Sequence, residues 1–309
     1  MKKHFLRPGI QLAATLVQNA NFKGFFTGKI YKGDTKGVCV PGLNCYSCPG
    51  AVGACPIGSL QNFLGSTHFK IPYYVVGLLL FFGALLGRAV CGFLCPFGFI
   101  QELIHKIPFP QKKIRTFPGD KQLRYLKYAI LLIFVITLPI IFKLTPTFCK
   151  YICPAGTLEG GLPIVLIHGS SNGMKTGFLF GWKMGILIIC IIACLFIYRP
   201  FCKYLCPLGA IYGLCNPISL YRMHFNENAC THCGACVRAC PMQVDPVKTP
   251  NSAECIRCGK CTGVCPSHAL KCGFAFGKNY WHDLTEEGIL HENRRQETQG
   301  TVSHENPAG

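Results

Sequence analysis

Cys230, Cys233, Cys236 and Cys240-Pro241 read C-x₂-C-x₂-C-x₃-C-P, and Cys255, Cys258, Cys261 and Cys265-Pro266 repeat the run. Two such runs are the spacing of a bacterial ferredoxin with two [4Fe–4S] clusters, where the fourth cysteine of each run ligates the other cluster. That predicts one cluster on Cys230, Cys233, Cys236 and Cys265, and a second on Cys255, Cys258, Cys261 and Cys240. The chemistry is one-electron transfer. Zinc competes for C-x₂-C pairs, but four ligands per ion do not call for a duplicated run with C-P ends.

Other cysteines recur in a second pattern. Cys91 and Cys95, Cys149 and Cys153, and Cys202 and Cys206 each form C-x₃-C-P-x-G. A degenerate copy holds Cys48-Pro49, then Cys55-Pro56-Ile57-Gly58, with Ala51 where the first cysteine would stand. Self-similarity of this kind carries more weight than one match. A helical C-x₃-C would set both sulfurs on one face, a turn apart. Proline starts a new segment, and glycine permits a close turn.

Each copy follows an apolar run. The chain is 50% hydrophobic and 14% charged over 309 residues, more apolar than a free ferredoxin needs to be. Its net charge of +18 could suggest nucleic acid, but the basic residues lie between apolar runs and no nucleic-acid motif accompanies them. Membrane lipid is the expected surrounding and nucleic acid is not a partner. A bilayer crossing takes about 20 mostly apolar residues. Pro72–Val90, Tyr125–Phe142 and Phe178–Tyr198 qualify, and Phe5–Phe22 is a weaker fourth because it holds Arg7, Gln11, Gln18 and Asn19. The expected fold is an α-helical membrane protein of about four transmembrane helices with a C-terminal α+β two-cluster ferredoxin domain. Residues 1–222 form the membrane domain, 223–275 the ferredoxin and 276–309 a polar tail.

Lys and Arg concentrate on the cytoplasmic side of membrane proteins. Arg88, Lys106, Lys112, Lys113, Arg115, Lys121, Arg124 and Lys127 fill one loop, which sets the N-terminus and ferredoxin inside, in a multi-pass protein of a prokaryotic cell membrane. Alternating spans then sort the motifs by face. Cys91, Cys95, Cys202 and Cys206 meet on the inner face as the complement of one further [4Fe–4S] cluster. Cys149 and Cys153 meet the first copy on the outer face, with Cys48 and Cys55 as their partners, leaving Cys39 and Cys45 without a role. Alternatively Cys39, Cys45, Cys48 and Cys55 form their own site and Cys149 pairs with Cys153. Cys190, Cys194 and Cys215 read as small buried hydrophobes. Arg88, Arg199 and Lys203 near the inner set would favour its more negative, reduced state.

GRAVCGFLCPFGFIQELIHKIP (Gly87 to Pro108) and RPFCKYLCPLGAIY (Arg199 to Tyr212), followed by the ferredoxin, resemble the polyferredoxin-type membrane proteins, a NapH- and NosR-like family. The resemblance runs from about Arg7 to Lys271. It implies several spans, cytoplasmic ferredoxin clusters, electron delivery across the inner membrane as a subunit of an oxidoreductase such as a quinol dehydrogenase, and redox partner proteins on one or both sides. The usual pattern has two C-x₃-C-P pairs. This chain has three, plus NCYSCPGAVGACPIGSLQ (Asn44 to Gln61), and so reads as a divergent branch.

The expected function is electron transfer between a cytoplasmic ferredoxin module, or a quinol pool, and an extracytoplasmic acceptor. Two faces separated by a hydrocarbon core of about 30 Å leave a gap. A bound quinone, clusters set deeper than their loops suggest, or a partner subunit would close it. The competing readings are an assembly factor that handles copper through outer thiolates, and a redox sensor that switches by disulfide formation.

Overall fold

A computed structural model describes residues 3–66, 73–109, 113–116, 118–143, 145–172 and 177–274. The polar tail expected from residue 276 lies outside the described residues. The elements that place the cysteines are α1 (Lys3–Gln18), α2 (Pro56–Leu64), α3 (Tyr73–Leu86) and α4 (Pro96–Lys106). They are followed by α5 (Asp120–Ile141), α6 (Gly156–Ile167), α7 (Phe178–Phe196) and α8 (Pro207–Cys215). The chain then forms a hairpin of β1 (Tyr221–Phe225) and β2 (Leu270–Phe274). The two strands pair antiparallel, Tyr221 opposite Phe274 and Phe225 opposite Leu270, and both cysteine runs lie between them.

Among the described residues α5 and α7 are long and apolar enough to cross a bilayer. Only 22% and 17% of their apolar stretches is buried against the rest of the protein. Leu132, Ile133 and Ile141 of α5, and Ile188, Ile189 and Ile192 of α7, face outward. A core helix of a water-soluble protein would hide such a surface. The middle turn of α5, Leu131–Thr137, is wound as a π-helix.

Helices α3 and α1 lie on the other two expected spans, and Pro72, where one of them begins, lies outside the described residues. In α3 the described helix is 14 residues long and closes at Gly87, whose φ of +54° L side chains rarely adopt. That turn brings Arg88 and Cys91 inward. Helix α1 is amphipathic in an inverted sense. Arg7, Gln11 and Gln18, the residues that weaken it as a span, point into the protein and bond Gly92 O, Gly92 O and Leu94 O. Leu6, Leu12, Leu16 and Val17 face out. Its polar side chains satisfy buried carbonyls, which would otherwise cost desolvation energy.

Candidate metal centres

The C-P-x-G motif is a helix start. Cys95 and Cys206 are extended (ψ 114° and 113°), each followed by proline at the first helical position of α4 and α8. Each thiol accepts a hydrogen bond from the glycine amide three residues on, Gly98 N to Cys95 Sγ and Gly209 N to Cys206 Sγ, both 3.4 Å. Gly58 and Gly156 hold the same place in their motifs, near Cys55 and Cys153, but Cys55 caps its helix without that hydrogen bond. Backbone amides at a helix N-terminus favour negative charge, so the motifs of Cys95 and Cys206 prepare their second sulfur to be a thiolate. The C-x₃-C pairs therefore do not lie on one helix. Cys91, Cys149 and Cys202 sit in five-residue helices, Ala89–Phe93, Thr147–Tyr151 and Pro200–Tyr204, which end before the second cysteine. The residue before proline is pushed out of the helical region, and that breaks the helix.

Cys91, Cys95, Cys202 and Cys206 converge, all buried. Cys206 lies within electrostatic reach of Cys202, Cys91 and Cys95. Two arginines cross between the motifs: Arg88 donates to Cys202 O at 2.8 Å, and Arg199 to Cys91 O. Gln101 donates from Nε2 to Cys202 Sγ at 3.2 Å. The basic residues around this set are only partly neutralised, because each nearby carboxylate is shared by two cations, so a net positive charge remains beside the thiols as their number suggests. Arg88 and Lys127 pair with Glu254, Arg199 with Glu102, and Lys203 with Asp120. Burial is the main cause that pushes the Cys91 thiol up to about 11.

The outer cysteines sort differently from the expected pairing. The thiols of Cys149 and Cys153 lie within electrostatic reach of Cys45 and Cys55. Cys45 Sγ is 3.6 Å from where a Cβ on Gly156 would stand, and Cys149 Sγ is 3.8 Å from the same point on Gly58. Gln61 donates from Nε2 to Cys149 Sγ at 3.5 Å, as Gln101 does to Cys202. Cys48, the expected partner, turns its thiol to Asn19 Oδ1 at 3.5 Å, and Cys39 turns to Ser59 Oγ at 3.4 Å. Position in the three-dimensional loop, and not the C-x₃-C spacing, brings Cys45 near Cys149 and Cys153. Cys190 and Cys194 share a hydrogen bond on α7, and Cys194 faces Gln101 Oε1 at 3.9 Å.

In the ferredoxin part Cys230, Cys233, Cys236 and Cys265 line one cavity of about 220 Å³. A second, smaller cavity is lined by Cys240, Cys255, Cys258 and Cys261. Each thus takes three cysteines from one run and the fourth from the other. The second cavity faces the membrane part. Ile256, between Cys255 and Cys258, sets its carbonyl oxygen 2.4 Å from where a Cβ on Gly92 would stand. Arg257 is buried and bonds Leu86 O at 3.0 Å, and Asn216 holds Cys255 O at 2.8 Å. On the opposite side Cys233 is exposed.

Among the described residues no three His, Cys, Asp or Glu side chains converge as one metal ion requires. A four-iron cube is larger than an ion, so its thiolates stand further apart around a space. The residues present fit such cubes: soft thiols in fours, with backbone or amide N–H groups aimed at the sulfurs, the donors that tune cluster potential. Gln61 and Gln101 were missed in the sequence reading. Their signal is there, since both stand six residues after the second cysteine of their copies, in CPIGSLQ and CPFGFIQ. Cys272 on β2, within electrostatic reach of Cys255 and Cys258, belongs to neither run and gave none.

Fold and site together define a ferredoxin-type iron–sulfur electron-transfer protein. A family described as "4Fe-4S binding domain" matches three times, at residues 72–116, 126–162 and 178–224, once on each exact C-x₃-C-P copy. Two further 4Fe-4S binding domain families match at 222–244 and 249–271, on the two ferredoxin runs. An uncharacterized protein of Methanocaldococcus jannaschii is 31% identical over 72% of this chain and 88% of its own length. The methylamine utilization ferredoxin-type protein MauN of Paracoccus denitrificans is 29% identical over 59% of each. The putative electron transport protein YccM of Escherichia coli is 28% identical over 63% of this chain and 55% of its own. The chain belongs to this NapH- and NosR-like family of ferredoxin-type electron-transport proteins. It spans little more than half the length of MauN and YccM. No solved structure matches.

Proposed function

We propose that the chain carries electrons between its ferredoxin module and a cluster held by Cys91, Cys95, Cys202 and Cys206 inside a multi-pass membrane domain. The observation that carries the reading is the junction at Gly92. There the carbonyl of Ile256, from the ferredoxin run, packs directly on the backbone between the two inner cysteines. Bound [4Fe–4S] clusters would supply the one-electron chemistry.

This chain's residues do the rest. Cys230, Cys233, Cys236 and Cys265 hold the outlying cluster, and the exposed Cys233 marks the face open to a soluble redox partner. Cys240, Cys255, Cys258 and Cys261 hold the cluster next to the membrane part. Arg88 and Asn216 fix that junction, Arg88 by binding Ala253 O and Glu254 at 2.7 Å each. The apolar outward faces of α5 and α7 meet lipid, which excludes water from the inner set. The basic segment from Arg88 to Lys127 sets the ferredoxin on the cytoplasmic side of a prokaryotic cell membrane. A quinol within the bilayer or a cytoplasmic protein supplies electrons, and an extracytoplasmic protein accepts them.

Iron analysis with EPR on the full chain, purified without oxygen, tests this. The ferredoxin alone accounts for about eight irons, so the inner site raises the count by about four. Cys202→Ser should remove those and one EPR signal while the ferredoxin signals persist. A native count near eight would reject the reading.

A further inference from the structure

We propose that Cys45, Cys55, Cys149 and Cys153 form a second four-thiolate cluster site in the membrane domain, joined to the inner one by the successive backbone amides of Leu43 and Asn44. This rests on the reading of Cys91, Cys95, Cys202 and Cys206 as a cluster site.

The two sets are built alike. In each, the second cysteines stand at helix starts followed by proline and a glycine three residues on, Gly98 and Gly209 in one and Gly58 and Gly156 in the other, with the amide bonded to sulfur at Gly98 and Gly209. In each, a glutamine six residues beyond donates to the first cysteine of the facing motif, Gln101 to Cys202 and Gln61 to Cys149. Gln61 is also held from behind, its Oε1 accepting the Phe148 amide at 2.9 Å. The missing first cysteine of the degenerate copy is supplied by Cys45. Glu159 anchors Cys45, accepting its amide at 2.7 Å. Lys183 of α7 closes the other side, donating to Cys149 O at 3.2 Å. Cys39 and Cys48 are engaged elsewhere, with Ser59 and Asn19.

The junction is short. The Leu43 amide faces Cys95 of the inner set, and the next amide, Asn44, faces Cys55 of this one. Gly42 holds the loop against the motif: a Cβ there would stand 3.1 Å from Cys95 Cα. Tyr212 lies within reach of Cys91, Cys95 and Cys55 together and bonds Pro41 O at 2.9 Å. Consecutive residues advance about 3.8 Å, so a loop whose neighbouring residues lie near both sets keeps them on the order of 10 Å apart. That is far less than the roughly 30 Å of a hydrocarbon core. The loop of Pro41–Cys55 folds inward, and no third centre is needed between the two sets.

The test uses the full chain purified without oxygen. Native protein should hold about sixteen irons. Cys45→Ser should lose about four and keep the ferredoxin signals, and Cys48→Ser should lose none. Magnetic interaction falls steeply with distance, so the inner EPR signal of fully reduced native protein should be broadened by its neighbour and sharpen in Cys45→Ser. Iron retained in Cys45→Ser, iron lost in Cys48→Ser, an unbroadened native signal, or zinc or copper in place of iron would each overturn the proposal. If Cys45→Ser loses the ferredoxin signals too, it has not folded, and Cys149→Ser with the native line shape decides. Failure of the inner reading is separate: Cys202→Ser would then change neither iron nor signal.

Discussion

Arg88 Nη2 lies 2.8 Å from the carbonyl oxygen of Cys202, and Arg199, the matching residue of the other motif, binds the carbonyl of Cys91. Each arginine stands three residues before its own first cysteine and braces the opposite one. Both are fully buried, and each pairs with a carboxylate it shares with a second cation, Arg88 with Lys127 on Glu254 and Arg199 with Arg7 on Glu102. Lysine lacks the planar fork that reaches a carbonyl and a carboxylate at once. Removing one partner of a buried pair costs about 3–5 kcal/mol. Arg199→Met should therefore lower the melting temperature, and on warming it should release the inner irons before those of the ferredoxin. Thermal melts followed by iron release check this.

Gln101 donates to Cys202 Sγ, a contact that favours the more negative, reduced cluster. Gln101→Leu should keep the iron content and lower the midpoint potential of the inner cluster. A tenfold change in a one-electron equilibrium corresponds to about 59 mV, and the shift should be of that order. Potentiometric titration followed by EPR measures it, and an unchanged potential would show that the amide does not tune the site.

Gly92 has no room for a side chain, because a Cβ would meet Ile256 O at 2.4 Å. Gly92→Ala should push the ferredoxin off its seat while leaving its clusters loaded. Hydrogen exchange across residues 253–257 should rise. Gly77→Ala, at a position with nothing within 4 Å, should leave exchange unchanged.

Glu102 carries the pH dependence of the contact between α1 and α4. Burial disfavours its charge, but Arg199 and Arg7 outweigh burial and hold the carboxyl below its usual range. A depressed carboxylate stabilises the fold above its unfolded value of about 4.3, and that contribution fades as pH falls toward the folded value. The stability advantage of native protein over Glu102→Gln should be constant from pH 7 to 5 and shrink below about pH 4.3. Chemical denaturation of both proteins across that range checks it.

The cysteine runs, the repeated C-x₃-C-P-x-G and the apolar segments were legible in the chain because ligand spacing and hydrophobic length are local properties. They define the iron–sulfur electron-transfer class. The helix break inside each motif was legible in principle too, since it follows from proline acting on the residue before it. The inward polar face of α1 was not, because Arg7, Gln11 and Gln18 find partners in a segment far along the chain.

Cys45 against Cys48 shows the division most sharply. By itself, the sequence offered cysteines near Cys55 but no spacing to choose among them, because the first motif is degenerate. Tertiary structure places Cys45 beside Gly156 and turns Cys48 toward Asn19. It also brings the loop at Leu43 against Cys95. Separation along the chain counted the two thiol sets as opposite faces of a membrane. Only packing, which folds a loop back between helices, decides that one loop lies near both.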